Sequence, residues 1–133
     1  MKLLVATLCA AALACAACTE SAPPAPSVAD ATITETFTAS LTPSASNTHP
    51  VTVSQVSRFI VTLVSVDPQI NLGITVGSLS NGTCIGLKTN AAVQAGSTVA
   101  ISGTALAGTF CVVVYDPGTV VDTATYTITV AHS

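Results

Sequence analysis

The sequence predicts an all-β protein, a single antiparallel β-sandwich of about eight short strands. Three observations predict it. The apolar half of the chain is mostly Ala and Val and the polar half mostly Thr and Ser, and β-branched side chains favour extended backbone over helix. Strand-like runs recur about every ten residues, separated by Pro, Gly, Asn and Asp. No stretch sustains apolar residues three and four apart, as a helix face requires.

Ahead of the strands stands an address. Lys2 is a minimal basic start and residues 3–13 are an apolar run. That run is shorter than the roughly 20 residues a membrane-spanning helix needs, so residues 1–14 read as an export signal. Ala12-Leu13-Ala14-Cys15 resembles a bacterial lipobox, in which small residues precede a cysteine diacylated on sulfur. Cys15 is the expected lipidated residue and Cys18, preceded by Cys15-Ala16-Ala17, the alternative. Cleavage after Ala12-Leu13-Ala14 by an ordinary signal peptidase is the competing reading. Two chains on sulfur plus an acylated amine, palmitate among them, anchor durably where one chain is marginal. Residues 15–34 then form a tether, because the prolines of Ser21-Ala22-Pro23-Pro24-Ala25-Pro26-Ser27 lack N–H donors and fix φ. The expected location is the cell envelope, on a periplasmic or surface face.

The domain spans residues 35–133. Residues 34–41 alternate Thr with Phe37, and Thr42-Pro43-Ser44 ends them. Asn47-Thr48-His49-Pro50 is a turn or strand entry leading into residues 51–53. Residues 58–66 are apolar on both faces, with Phe59, Val61, Leu63 and Ser65 on one, so this strand is central. Asp67-Pro68 stops it. Residues 72–79 and 83–87 flank Ser80-Asn81-Gly82, the sharpest hairpin signal in the chain; the hairpin reading is preferred over a glycosylation sequon at Asn81. A loop through Asn90 and Gly96 precedes residues 98–102, and residues 103–108 turn again. Residues 109–115 are a buried run ended by Asp116-Pro117-Gly118. Residues 124–131 set Tyr126, Ile128 and Val130 against a solvated Thr face.

Only 7% of residues are charged. Without Lys2, two basic side chains, Arg58 and Lys88, face six acidic ones, a balance of −4 with His neutral. No basic footprint exists for nucleic acid, and an anionic membrane gains nothing from the net charge, so the expected membrane partner contact is the lipid anchor alone. Of five Cys, Cys9, Cys15 and Cys18 fall in the leader region and Cys84 and Cys111 in strands. Each of the last two lies opposite its strand's apolar set, so export predicts a disulfide between neighbouring strands. The chain-entropy account assigns such a bridge about 3–4 kcal/mol.

Chemistry is sparse. His49, His132, Cys84 and Cys111 show no zinc-ligand spacing, and a disulfide removes both sulfurs. His49 before Pro50 and His132 next to the last residue read as solvated, which does not suit a Ser-His-Asp triad, and no G-x-S-x-G elbow occurs. Asp67 and Asp116 read as turn devices whose carboxylates bond the following backbone. Strand parity sends most aromatics to the core and leaves Tyr115 out, so Tyr115, Asp116 and Asp122 form the candidate ligand loop, for a glycan or for calcium. No catalytic residue, resident metal or cofactor is expected, and the ligand is an unidentified protein or glycan.

Thr36-Phe37-Thr38, Thr48-His49-Pro50-Val51-Thr52-Val53, the run from Gly108 through Phe110-Cys111 to Tyr115-Asp116, and Tyr126-Thr127-Ile128-Thr129-Val130 together resemble the bacterial pre-peptidase C-terminal domain. The resemblance covers about residues 35–132. It implies a jelly-roll-like sandwich, usually a non-catalytic appendage of secreted enzymes implicated in secretion, folding or substrate contact. Two departures stand out: a lipid tether replaces the peptidase, and Gln69-Ile70-Asn71-Leu72-Gly73-Ile74 replaces the family's acid-rich stretch, which speaks against calcium. The expected function is a non-catalytic envelope lipoprotein presenting a sandwich for binding or structural roles, with a lectin-like or calcium-binding accessory domain as the alternative.

Overall fold

The computed structural model describes residues 32–96 and 99–133. The export signal, Cys15, Cys18 and the tether up to residue 31 lie outside the described residues. Every regular element within them is a strand: β1 Ile33–Leu41, β2 Ser46–Val53, β3 Ser57–Asp67, β4 Leu72–Ser80, β5 Thr83–Val93, β6 Val99–Ala105, β7 Gly108–Tyr115 and β8 Ala124–His132.

The strands form two antiparallel four-stranded sheets, ordered β1-β8-β3-β6 and β2-β7-β4-β5. The outer pairs are first with last, second with seventh, third with sixth and fourth with fifth. That is one long hairpin, its tip at the β4–β5 turn, rolled so that successive pairs fall alternately in the two sheets. This is the jelly-roll order. The hairpin tip carries the signal expected of it: Asn81 has φ 50° and Gly82 φ 76°, the two positive values of a type I′ turn.

The core lies between the sheets. β8 buries Ala124, Tyr126, Ile128 and Val130, and β7 buries Val112 and Val114 against them. β3 is central, as its two apolar faces require, flanked by β8 and β6. The alternation expected along β3 breaks once. The β3–β8 register shifts between Leu63 and Ser65, so Ser65 is exposed and Val66 takes the next core position. A bulge adds one residue and reverses the parity beyond it. The carbonyl of Leu63 accepts the Gly96 N–H at 3.1 Å, outside the ladder.

Three expected boundaries move. Of the two readings of the segment around His49 and Pro50, a turn or a strand entry, the strand holds, with β2 beginning earlier at Ser46, and Pro50 is tolerated because β2 is an edge strand. β5 continues through Asn90 to Val93, and β6 continues through Gly103 to Ala105. Asn90 read as a loop residue, yet its Nδ2 donates to Ala100 O at 3.2 Å and Lys88 Nζ donates to Ser102 O at 2.9 Å. Side chains of the edge strand β5 thereby satisfy carbonyls of the edge strand β6 in the other sheet.

The connections sort to two ends. Residues 42–45, 68–71 and 116–123 lie at one; residues 54–56, 81–82 and 106–107, with Ile33 and Ser133, lie at the other.

Candidate functional site

The disulfide forms as expected, with a Cα–Cα distance of 5.8 Å between Cys84 and Cys111. The strands it joins are not neighbours, which corrects the sequence reading. Cys84 is on β5 and Cys111 on β7, with β4 between them. Gly77 of β4 pairs with both Cys111 and Gly86, and the β4–β5 register shifts just before it. A Cβ at position 77 would collide with the Ile85 carbonyl and stand 3.1 Å from Cys84 Sγ. The bridge thus crosses β4 over a residue with no side chain, and the start of β5 folds in above it. Strand parity located both sulfurs on the outer face of the sheet; it carried no information about what lay between them.

The candidate ligand loop behaves chiefly as a structural device. Asp116 Oδ1 accepts the N–H groups of Gly118, Thr119 and Val120 at 2.7, 2.7 and 3.0 Å. Its Oδ2 accepts the N–H of Ser44 at 2.9 Å, and Asp116 N donates to Ala45 O at 3.1 Å. These bonds, led by those from Ser44 and Val120, lower its pKa to about 2. Calcium at this carboxylate would have to displace four N–H donors. Thr119 Oγ1 donates to Asn71 O and joins the loop to the 68–71 connection. Asp122 is exposed and lines a shallow recess with Pro68, Ile70 and Ala124, a recess that Tyr115 and Asp116 do not line.

Tyr115 lies half-buried on the outer face of its sheet, paired with Gly73 of β4. A Cβ at Gly73 would meet Cζ, Cε1 and Cε2 of the ring, so the phenol lies across the glycine backbone. This is the aromatic–glycine cross-strand pair that protects an otherwise bare stretch of sheet.

Both histidines depart from the expectation of solvated positions. His49 is half-buried in β2, where its ring stacks on Phe37 at 4.8 Å and meets Tyr126 edge-on at 5.9 Å. Its Nε2 is 2.8 Å from the Tyr126 hydroxyl. Loss of hydration lowers the His49 pKa and raises that of Tyr126. The cluster closes the side of the sandwich where the edge strands β1 and β2 meet, and it supplies the partner that a buried Tyr hydroxyl needs.

His132 is buried near Phe59, with its Nε2 2.9 Å from Glu35 Oε1. Its Nδ1 is buried with no partner among the described residues. Sequence could have flagged both rings through parity, since His132 follows Tyr126, Ile128 and Val130 on their face.

The opposite side, between β5 and β6, opens into an apolar cleft of about 130 Å³ walled by Phe59, Val76, Leu87, Ile101 and Phe110. Cavities of about this size accept one ring or a short acyl segment. Among the described residues no group of three or more His, Cys, Asp or Glu side chains gathers as a metal-donor set.

No protein-family model matches the chain, and no curated protein matches it. The likeness to the pre-peptidase C-terminal domain therefore rests on its strand motifs. The class that the described residues define is a disulfide-stapled, eight-stranded antiparallel β-sandwich of jelly-roll order.

Proposed function

We propose that the chain is a non-enzymatic envelope lipoprotein, acylated at Cys15 or Cys18, that displays this sandwich as a binding or structural module. The observation that supports it most is what the titratable side chains do. Asp116 holds a loop through four N–H groups, His49 and Tyr126 seal one side of the core, and His132 is paired with Glu35. Groups committed to building the fold are not free to cycle protons or attack a substrate. Export also suits a small domain whose staple is a disulfide. The chain would act from the membrane that holds its anchor, through a protein or glycan ligand.

Metabolic labelling with an alkyne-bearing palmitate tests the anchor. Label should enter the wild-type chain and be lost in Cys15→Ser or, for the alternative site, in Cys18→Ser; an unlabelled wild-type chain rejects it. One observation favours a lectin-like second reading, namely the Tyr115 ring laid on Gly73 at the sheet surface. In a glycan screen, that reading requires binding that Tyr115→Ala removes while the disulfide and strand content persist.

A further inference from the structure

The unpaired charges of the described residues are sorted between the two ends of the sandwich, and exposed apolar side chains occur at both. Asp67, Asp116 and Asp122 stand at the end with connections 68–71 and 116–123. Arg58 lies near the other end, opposite Thr104 and one position past the Ser57–Ala105 pair. Glu35, the acid at that end, is held by His132. Beyond the same Ser57–Ala105 pair the chain presents Val56 at 59% exposure and Leu106 at 67%, side by side in connections 54–56 and 106–107. Ile33, at the same end of the neighbouring ladder, is 48% exposed. It is also the end at which the chain preceding β1 enters the domain.

We infer that this end of the domain is a lipid-contact surface: Val56, Leu106 and Ile33 enter the membrane interface and Arg58 engages lipid phosphates. The inference rests on the proposed anchor for its biological setting and adds a second, direct contact to it. Apolar side chains gain by leaving water for the headgroup–acyl boundary, and an adjacent cation gains near anionic headgroups. One Arg and three aliphatic side chains cannot hold a protein at a membrane alone. A chain already tethered at this end does not diffuse away, so a weak contact suffices to orient it. The acids then point outward, away from the headgroup charge. Net charge alone argues against any electrostatic attraction; the separation of the charges supplies an orientation that net charge conceals.

The chain contains no Trp, so a single introduced one reports unambiguously. Val56→Trp, Leu106→Trp and, as the far-end control, Val121→Trp at 86% exposure are surface changes. Each variant carries a hexahistidine sequence in the segment before Thr32. It is captured on phosphatidylcholine–phosphatidylglycerol vesicles containing a nickel-chelating lipid. This supplies an anchor whether or not Cys15 or Cys18 is acylated, so failure of the anchor reading, seen in the mass of the N-terminal peptide, is separate from failure of the contact. The expected result is blue-shifted emission and quenching by bromine-labelled lipid tails at positions 56 and 106, with neither at 121. Unchanged spectra at 56 and 106, or an equal response at 121, overturn the inference. So does a shift that needs no vesicles and grows with protein concentration, which would assign this end to a second copy of the chain.

Discussion

Asp116 shows how much one half-buried carboxylate can organise. It gathers N–H groups from both sides of a chain separation of 72 residues, from Ser44 on one loop and Gly118 to Val120 on another. Those bonds are stronger to the ionised form, and they put its pKa at about 2, below the unfolded value near 3.8. The stabilisation is therefore complete above about pH 4 and is lost as pH falls toward 2. Asp116→Asn should lower Tm at neutral pH and flatten the stability curve in that window, measured by thermal unfolding between pH 2 and 5. His49 carries the same sign by a different cause. Burial lowers its pKa beneath 6.5, so the unfolded chain takes up the proton first and stability falls as pH drops below 6.5. Denaturant unfolding of His49→Phe should lack that slope between pH 6.5 and the lowered pKa. Tyr126→Phe should cost about 1 kcal/mol, the usual net worth of a hydrogen bond, with the ring packing retained. Glu35→Ala leaves Nε2 of buried His132 without a partner alongside Nδ1 and should cost about 1–3 kcal/mol.

Among the elements, β5 is the one whose place depends on special devices. It is a long edge strand whose residues are mostly exposed, with only Val93 buried. Three things hold it: the disulfide to β7, the absence of a side chain at Gly77, and the Lys88 and Asn90 bonds to β6 carbonyls. Removing the bridge with Cys84→Ser and Cys111→Ser should destabilise the fold by about 3–4 kcal/mol, read from denaturant midpoints. Gly77→Val should do more than remove the bridge, because it also drives Ile85 off the sheet. The expected outcome is free thiol at Cys84 and Cys111 in a titration of the folded chain, and a Tm below that of the double Ser variant. Wild-type thiol content in Gly77→Val would show that β5 can be displaced without loss of the bridge. The same edge exposes Ile85 and Leu87, the latter in the wall of the cleft, so loosening β5 enlarges apolar surface and should promote self-association.

At the scale of the whole molecule, the rolled hairpin sets the order in which contacts can form. β1 pairs with β8, bringing Ile33 opposite His132, while the only tight hairpin among the described residues is at β4–β5. Pairing across such separations needs extensive loop closure before it is rewarded, so the oxidised chain should refold in milliseconds to seconds by stopped-flow, not in microseconds. Placing Asp67, Asp116 and Asp122 at one end, and Arg58 with Val56, Leu106 and Ile33 at the other, is likewise a property of the assembled sandwich. Neither group is contiguous in the chain.

Taken alone, the amino-acid sequence determined the class of fold, the approximate place of all eight strands, the Asn81-Gly82 turn, the Asp116 loop device and the pairing of Cys84 with Cys111. These follow from local causes: β-branched alternation, positive-φ residues, a carboxylate beside Pro and Gly, and two cysteines on matching faces. Tertiary structure decided which strands lie side by side, that the sulfurs bridge over Gly77, that His49 and His132 are withdrawn from water, and that a bulge exchanges Ser65 for Val66. Alternation assigns a residue to a face of its own strand, but burial depends on what the opposite sheet and the adjoining edge place over that face. That information resides in contacts between residues tens of positions apart, and periodicity within one strand does not contain it.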